Sequence, residues 1–274
     1  MEMRPDFSGG RIRRYVEVEY RTETKRFQGM MRSGGTFRES FKSALQPMNE
    51  RQVLPEILDS LPPEDPEAIR SRRDLRLVNS FMGNYRWIAR TLRRGRARDH
   101  APREWVEIGA GDGHLAHLFK GGRKPGLTVR GVDLAPRPDT WPDDWKWSQG
   151  DLFEELIETE QDPEDLGLIA NLFLHHFEAE ALAKLGGIIN RRCRFLVISE
   201  PARHRFFSLM GYSFHPFVNH VTRHDMQVSI GAGFRNGELP RALRLESDWI
   251  IRESTTLLGA YRLEAWRPSA TSRS

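Results

Sequence analysis

The chain has 274 residues, 38% of them hydrophobic and 29% charged, with a formal net charge of +4. That is enough for one sizeable core, or for a core domain with an appendage, and so mild a basic excess does not indicate nucleic-acid binding unless it clusters on one face. One cysteine, Cys193, excludes an intramolecular disulfide, and no segment approaches the roughly 20 apolar residues of a membrane span; a cytoplasmic protein without a signal segment is expected.

Residues 1–47 differ from the rest. They carry Gly9, Gly10, Gly34 and Gly35, many charges and little periodicity, and only Tyr15–Tyr20 alternates like a strand. A poorly ordered extension or loosely docked hairpin is expected there. Met48 stands where the regular pattern begins and is a candidate start of the folded chain. Residues 48–100 read as a helical cap. Val53, Leu54, Ile57, Leu58 and Leu61 recur at helical spacing until Pro62 and Pro63 end the segment. Asp65 and Pro66 open a second helix as N-cap and first helical residue, with an apolar stripe of Leu75, Val78, Phe81 and Met82. Met82, Gly83 and Asn84 form a bend. Trp87–Leu92 offers an apolar side to the next domain, and Arg93–Arg103 reads as an exposed connector.

From residue 101 to 274 strands and helices alternate. Trp105–Ile108, Leu127–Val132, Trp145–Trp147, Leu166–Leu172 and Phe195–Ile198 read as strands. A helix through Leu115, Leu118 and Phe119 follows the first, and Ala179–Ile189 is another. Such alternation argues for a parallel sheet covered on both faces. Trp249–Leu258 and Ala260–Trp266, joined at Gly259, read instead as an antiparallel pair closing the sheet edge. Between them and the last parallel strand lies an insertion, residues 203–234, rich in aromatics and histidines. Helices that roof an apolar acceptor pocket are expected there.

The central motif is Val106-Glu107-Ile108-Gly109-Ala110-Gly111-Asp112-Gly113-His114, which follows a strand and opens a helix, as a cofactor loop requires. Glycine lets the backbone turn sharply with a ligand lying against it. Asp133, about twenty residues on at the end of the second strand, can accept hydrogen bonds from both hydroxyls of a ribose. A dinucleotide loop would need a third glycine where His114 stands, and Asp112 would repel a pyrophosphate. Glu107 and Asp112 suit instead a cofactor without phosphate that carries sulfonium and ammonium charges, namely S-adenosylmethionine.

Residues 104–200 resemble a class I S-adenosylmethionine-dependent methyltransferase of the small-molecule type. The first motif is Glu107–Gly113, the second Val132-Asp133-Leu134, the third Gln149-Gly150-Asp151-Leu152-Phe153 and the fourth Ile169–Phe177, in the family's order. The resemblance implies a Rossmann-like, mostly parallel seven-stranded α/β sheet with an antiparallel C-terminal edge and an N-terminal helical cap. It implies S-adenosylmethionine as methyl donor, held by Glu107, Gly109, Ala110, Gly111, Asp112, Gly113, Asp133, Leu134, Asp151, Leu152 and Asn171. In such proteins Asp151 would meet the adenine amino group, and the helix before Trp87 would cap the cofactor.

Ligands of such sheets bind beyond the C-terminal strand ends, here Asn171 to His176 and Ser199 to Pro201. Methyl transfer demands alignment and exclusion of water, and a phenolic acceptor also demands a base, which a histidine suits. His175, His176, His220 and His224 are the catalytic candidates. His224 with Asp225 reads as a base with its orienting carboxylate, or Asp225 as a helix cap. His220 and His224 share a helix face, but no acidic or cysteine partner is placed to make a metal site with His215, and no metal is assigned. The expected acceptor is a small apolar or phenolic molecule, methylated on oxygen or carbon. The competing readings are methylation of RNA or protein and a non-catalytic cofactor-binding scaffold. Asn171-Leu172-Phe173-Leu174 lacks the pattern that grips a flipped base's amine, which makes nucleic acid the weaker partner.

Overall fold

The computed structural model describes residues 48–96, 102, 104–120, 128–157 and 166–268. The chain divides into two units, residues 1–47 and 48–274. The first unit, with the expected Tyr15–Tyr20 strand, lies outside the described residues, as do 97–101, 103 and Leu127.

The second unit is built on a seven-stranded sheet of order β3-β2-β1-β4-β5-β7-β6. Its strands are β1 (Glu104–Ile108), β2 (Val129–Asp133), β3 (Trp147–Gln149), β4 (Leu166–Asn171), β5 (Cys193–Pro201), β6 (Ile250–Thr255) and β7 (Ala260–Trp266). The first five are parallel, and β7 runs antiparallel to both β5 and β6. β1, β2, β4 and β5 are almost wholly buried, which is why their sequences read as continuous apolar runs rather than alternations. Strand order reverses between β1 and β4, so the crevice beyond their C-terminal ends is the place where an open α/β sheet accepts a ligand.

Helices cover both faces. On one, α3 (Asn84–Arg96) lays Ile88 and Leu92 over Trp105, Phe195 and Val197. On the other, α6 (Ala179–Arg192) packs Leu182, Leu185, Ile188 and Ile189 into the larger core. The remaining helices are α1 (Ile57–Ser60), α2 (Pro66–Met82), α4 (His114–Lys120), α5 (Leu152–Ile157), α7 (Arg205–Ser213), α8 (His220–Ala232) and α9 (Glu238–Ala242). The insertion is thus helical as expected. No helix among the described residues is long and apolar enough to cross a membrane.

Three expectations are corrected. The Val53–Leu61 helix shrinks to the four residues of α1. Pro55 disfavours the helical region for Leu54, which stays 51% exposed, and Asp225 of α8 caps the short helix from outside by accepting the amides of Ile57 and Leu58 at 2.8 and 2.9 Å. The stripe on α2 is only partly apolar. Asp65 and Pro66 start the helix as expected, but its buried face is Ala68, Ser71, Asp74, Asn79 and Met82, whereas Phe81 is exposed. Those polar groups are satisfied by α8: Ser71 shares a 2.7 Å hydrogen bond with Thr222, and Asp74 accepts the Asn219 amide at 2.9 Å. The connector from Arg93 begins as helix, because α3 continues to Arg96 with Gly95 seated against the Phe195 ring.

Gly167 in β4 lies directly under Trp105 of β1; a Cβ there would come 2.4 Å from the indole. Gly167→Ala should therefore lower stability by roughly 1–3 kcal/mol, the usual cost of overpacking, as read from the midpoint of urea unfolding. An unchanged midpoint would show that Trp105 can move aside freely.

Candidate active site

The loop between β1 and α4 turns on three left-handed glycines, Gly109, Gly111 and Gly113, with φ of 64°, 53° and 70°. Gly109 has a second constraint: a Cβ would fall 2.2 Å from the ring of Phe173, which covers it. Gly111 is the reverse case, since a Cβ there would meet nothing within 4 Å and the loop faces open space. Ala110 is buried in the core face and its carbonyl accepts the Gly113 amide. Asp133 ties the loop to β2: one carboxylate oxygen accepts the Gly111 amide at 2.8 Å, the other the Ala135 amide at 2.9 Å.

Beneath the loop lies Glu107, 4% exposed, whose Oε2 has no hydrogen-bond partner. Burial, with the Asp112 and Asp133 carboxylates adding to it, pushes its carboxyl up to about 8. Asn171, at the end of neighbouring β4, likewise holds a buried, unpartnered Oδ1. Native proteins seldom leave such acceptors unpaired. A cationic donor seated in the open space beside Gly111 would satisfy them, so the residues present fit a cofactor with an ammonium group.

The helical segment before the sheet approaches this loop. Arg76 of α2 sits 3.1 Å from Asp112, and Tyr85 of α3 packs edge-on to His114 with ring centroids 5.1 Å apart. Burial, then Asp112 and Glu107, raise the Tyr85 hydroxyl well above its ordinary range, so it remains a neutral donor. Gly83, at φ 71°, makes the bend between the two helices, and Arg262 holds it by donating to the Met82 carbonyl at 3.0 Å. Leu134 stands 74% exposed at the crevice. Asp151 caps α5, accepting the Phe153 amide at 2.8 Å, and Leu152 is buried in the main core. Phe153 turns edge-on to Phe177, which in turn packs against Phe173.

The second half of the site lies at the 3-10 turn Leu174–His176 after β4. Glu200, fully buried at the end of β5, accepts the amides of Phe173, Leu174 and His175 and lies 2.7 Å from His175 Nδ1. The other ring nitrogen of His175 faces Glu56 Oε1 at 3.4 Å, and Ser229 of α8 also donates to Glu56. Burial would lower His175, but the bonds to Glu200 and Glu56 outweigh it and hold the imidazole at about 9. Burial would raise Glu56, and His175 outweighs that too, leaving it at about 2. His176 lies tilted against His175 with centroids 4.2 Å apart and is pressed down to about 4 by burial and by its charged neighbour. It retains 29% exposure, with Nδ1 3.7 Å from Asp59. Of the two, only His176 is reachable and neutral at neutral pH.

The structure brings His175 and His176 together with Glu56, a residue the sequence reading passed over. His224 joins the edge of this cluster, its Nδ1 2.8 Å from Asp225, which caps α1 as described. His220 does not join; it is exposed and sits 3.4 Å from Glu67. A separate cavity of about 360 Å³ opens beside α7, walled by Phe206, Phe207 and Phe234 with Arg203 and His204 at its edge.

With this geometry in view, comparison with known proteins is informative about the fold. No protein-family model and no curated protein matches the sequence. Among solved structures, the plantazolicin methyltransferase BpumL in complex with SAH superposes with a TM-score of 0.54 at 11% identity, covering 75% of this chain and 92% of that one. The plantazolicin methyltransferase BamL, with a triazolic desmethylPZN analog and SAH, gives 0.57 at 8% identity, covering 77% and 93%. The fold is the Rossmann-like fold of class I S-adenosylmethionine-dependent methyltransferases.

Glu107 gives a prediction that needs no ligand. In the unfolded chain a glutamate titrates near 4.5, whereas in the fold it titrates at about 8. The folded form holds the proton longer, so as pH rises between these values the unfolded state is favoured by up to ~1.4 kcal/mol per unit. Glu107→Gln removes this penalty. Its thermal midpoint should exceed that of the parent at pH 8–9 and match it near pH 4; a gap independent of pH would mean Glu107 is not the source.

Proposed function

We propose that the protein transfers a methyl group from S-adenosylmethionine to a small, apolar or phenolic acceptor, on oxygen or carbon. The observation that carries this reading is the unpartnered Oε2 of Glu107 beneath a glycine loop open at Gly111. A buried acceptor whose ionisation is disfavoured by burial and by two further carboxylates is favoured to ionise by a positive ligand, and the sulfonium cofactor brings both that charge and an electrophilic methyl.

In this reading Glu107 and Asn171 hold the ammonium end, and Asp133 reaches the ribose with the lone pairs left over from Gly111 and Ala135. Leu134 lies along the adenine, with Phe153 and Phe173 forming the apolar wall. Arg76 neutralises Asp112, and Tyr85 closes the crevice from the helical side, excluding water. The acceptor lies on the Phe173 side, where His176 is the polar group it meets. His175 has a carboxylate facing each ring nitrogen, so its work is to position the turn rather than to exchange protons with a substrate. His220 and His224 take no part in the reaction; His224 supports Asp225. BamL was solved with a triazolic desmethylPZN analog and SAH, which supports an aromatic small-molecule acceptor over a nucleic acid.

Calorimetric titration should show micromolar binding of S-adenosylmethionine and S-adenosylhomocysteine and none of NAD. Asp133→Asn should weaken that binding by roughly 10-fold or more, the worth of a charge-assisted hydrogen bond. Unchanged affinity in the variant would remove Asp133 from the site, and absence of binding in the parent would end the reading. On the acceptor side, His176→Ala should lower turnover with cofactor affinity intact, and a variant as active as the parent would relieve His176 of its role.

A further inference from the structure

The geometry points to a divalent transition-metal site formed by Glu56, His175 and His176 at the end of β4. Among the described residues this is the only group of three or more histidine, cysteine or carboxylate side chains whose donor atoms all lie within 4.8 Å of one another. The three come from distant parts of the chain, Glu56 from the stretch before α1 and the histidines from the turn after β4, and the fold converges them.

The detail that argues for an ion is the gap between His175 Nε2 and Glu56 Oε1. His175 Nδ1 is 2.7 Å from Glu200, whose anchored carboxylate fixes Nδ1 as the protonated nitrogen. In the free protein Nε2 carries the second ring proton and faces Glu56 Oε1; an ion entering between them would displace that proton and take the Nε2 lone pair. A close charge-assisted N–H···O bond would measure about 2.7–2.9 Å. The observed separation is 3.4 Å. Two ligands on a tetrahedral ion with bonds of about 2.0–2.1 Å stand ~3.3–3.4 Å apart, which is the spacing seen.

The surroundings are those of a metal centre. Glu200 behind His175 makes the carboxylate–histidine pair that orients a ligating imidazole, and Ser229 donates to the ligating Glu56. Asp59, 3.7 Å from His176 Nδ1, stands outside the three converging donors and would orient the His176 ring. Four carboxylates, Glu56, Asp59, Glu200 and Asp225, gather around the single His175 imidazolium, while Arg51 donates to the carbonyls of Leu174 and His175 instead of to a carboxylate. Imidazole and carboxylate donors without thiolate suit zinc, iron(II), cobalt(II) or manganese(II). The role follows from the proposed methyl transfer and rests on it. On the exposed His176 side an open coordination position would take the acceptor's oxygen and lower its proton affinity, with His176 then serving as ligand and the hydroxyl proton passing to water or to the exposed Asp59 carboxylate.

The test is a titration of the full-length, chelator-stripped protein with Co²⁺, followed by visible d–d absorption and by displacement with Zn²⁺, without any cofactor present. The result expected is saturation at about one ion per chain, with affinity reduced by roughly 10–100-fold or more in both His176→Ala and Glu56→Gln and unchanged in His220→Ala. Circular dichroism keeps the comparison to folded proteins, and His176, being partly exposed, supplies a variant that tolerates replacement. No saturable binding of Co²⁺, Zn²⁺ or Mn²⁺, or binding that His176→Ala and Glu56→Gln leave intact, would overturn the site. Because no cofactor enters the titration, its outcome is read separately from failure of the methyl-transfer reading, which the calorimetry with S-adenosylmethionine decides.

Discussion

A buried carboxylate, Glu200, holds the crevice together. An ionised group with no exposure persists only where hydrogen bonds replace its water, and Glu200 finds three backbone amides and one imidazole in the turn after β4. That capture fixes a costly piece of backbone. Leu172 adopts φ 52°, unfavourable for a residue with a Cβ, and is pinned by its amide on the Ser199 carbonyl at 2.8 Å. From there two consequences run in opposite directions. Phe173 is set over Gly109, so the glycine loop is shaped by the turn beside it. His175 is set against Glu56, so the segment before α1 is drawn onto the sheet. One side chain thus couples the cofactor side to the acceptor side.

The two sides differ in electrostatic design. Glu200 is satisfied within the protein. Glu107, one strand over from β4 and also buried, keeps an unpartnered oxygen and retains its proton up to about 8. A structural carboxylate that stabilises nothing by itself is a standing cost to the fold. Such a cost is expected where a ligand supplies the missing partner, and strained or unsatisfied groups cluster at sites for that reason. The contrast between these two glutamates separates scaffold from site more clearly than their shared burial does.

What could be read from the sequence was what is local. The glycine loop, Asp133 twenty residues on, the βα alternation and the antiparallel β6–β7 pair each follow from spacing within a short window, and the structure contains each of them. Asp65 and Pro66 likewise announced α2. The failures are contacts between distant segments. Glu56 lies 119 residues from His175, and nothing in its neighbourhood marks it as buried. The polar face of α2 is legible only once Asn219 and Thr222 of α8 are known to lie against it. Asp151 illustrates a different ambiguity: the same carboxylate that can meet an adenine is also a good N-cap, and here a helix begins beside it.

The histidine pair shows why adjacency in sequence says little about role. His175 and His176 are consecutive, yet the 3-10 turn sends one ring inward between two carboxylates and leaves the other at the rim. The inner ring is bound by groups that themselves cannot move, since Glu200 is locked to backbone and Glu56 is held by Ser229. The outer ring lies tilted against the inner one, meets the half-exposed Asp59 at 3.7 Å, and can therefore respond to what arrives in the crevice. A site that must both resist water and admit a substrate needs that division between a rigid member and an adaptable one. The turn after β4 provides it in two successive residues.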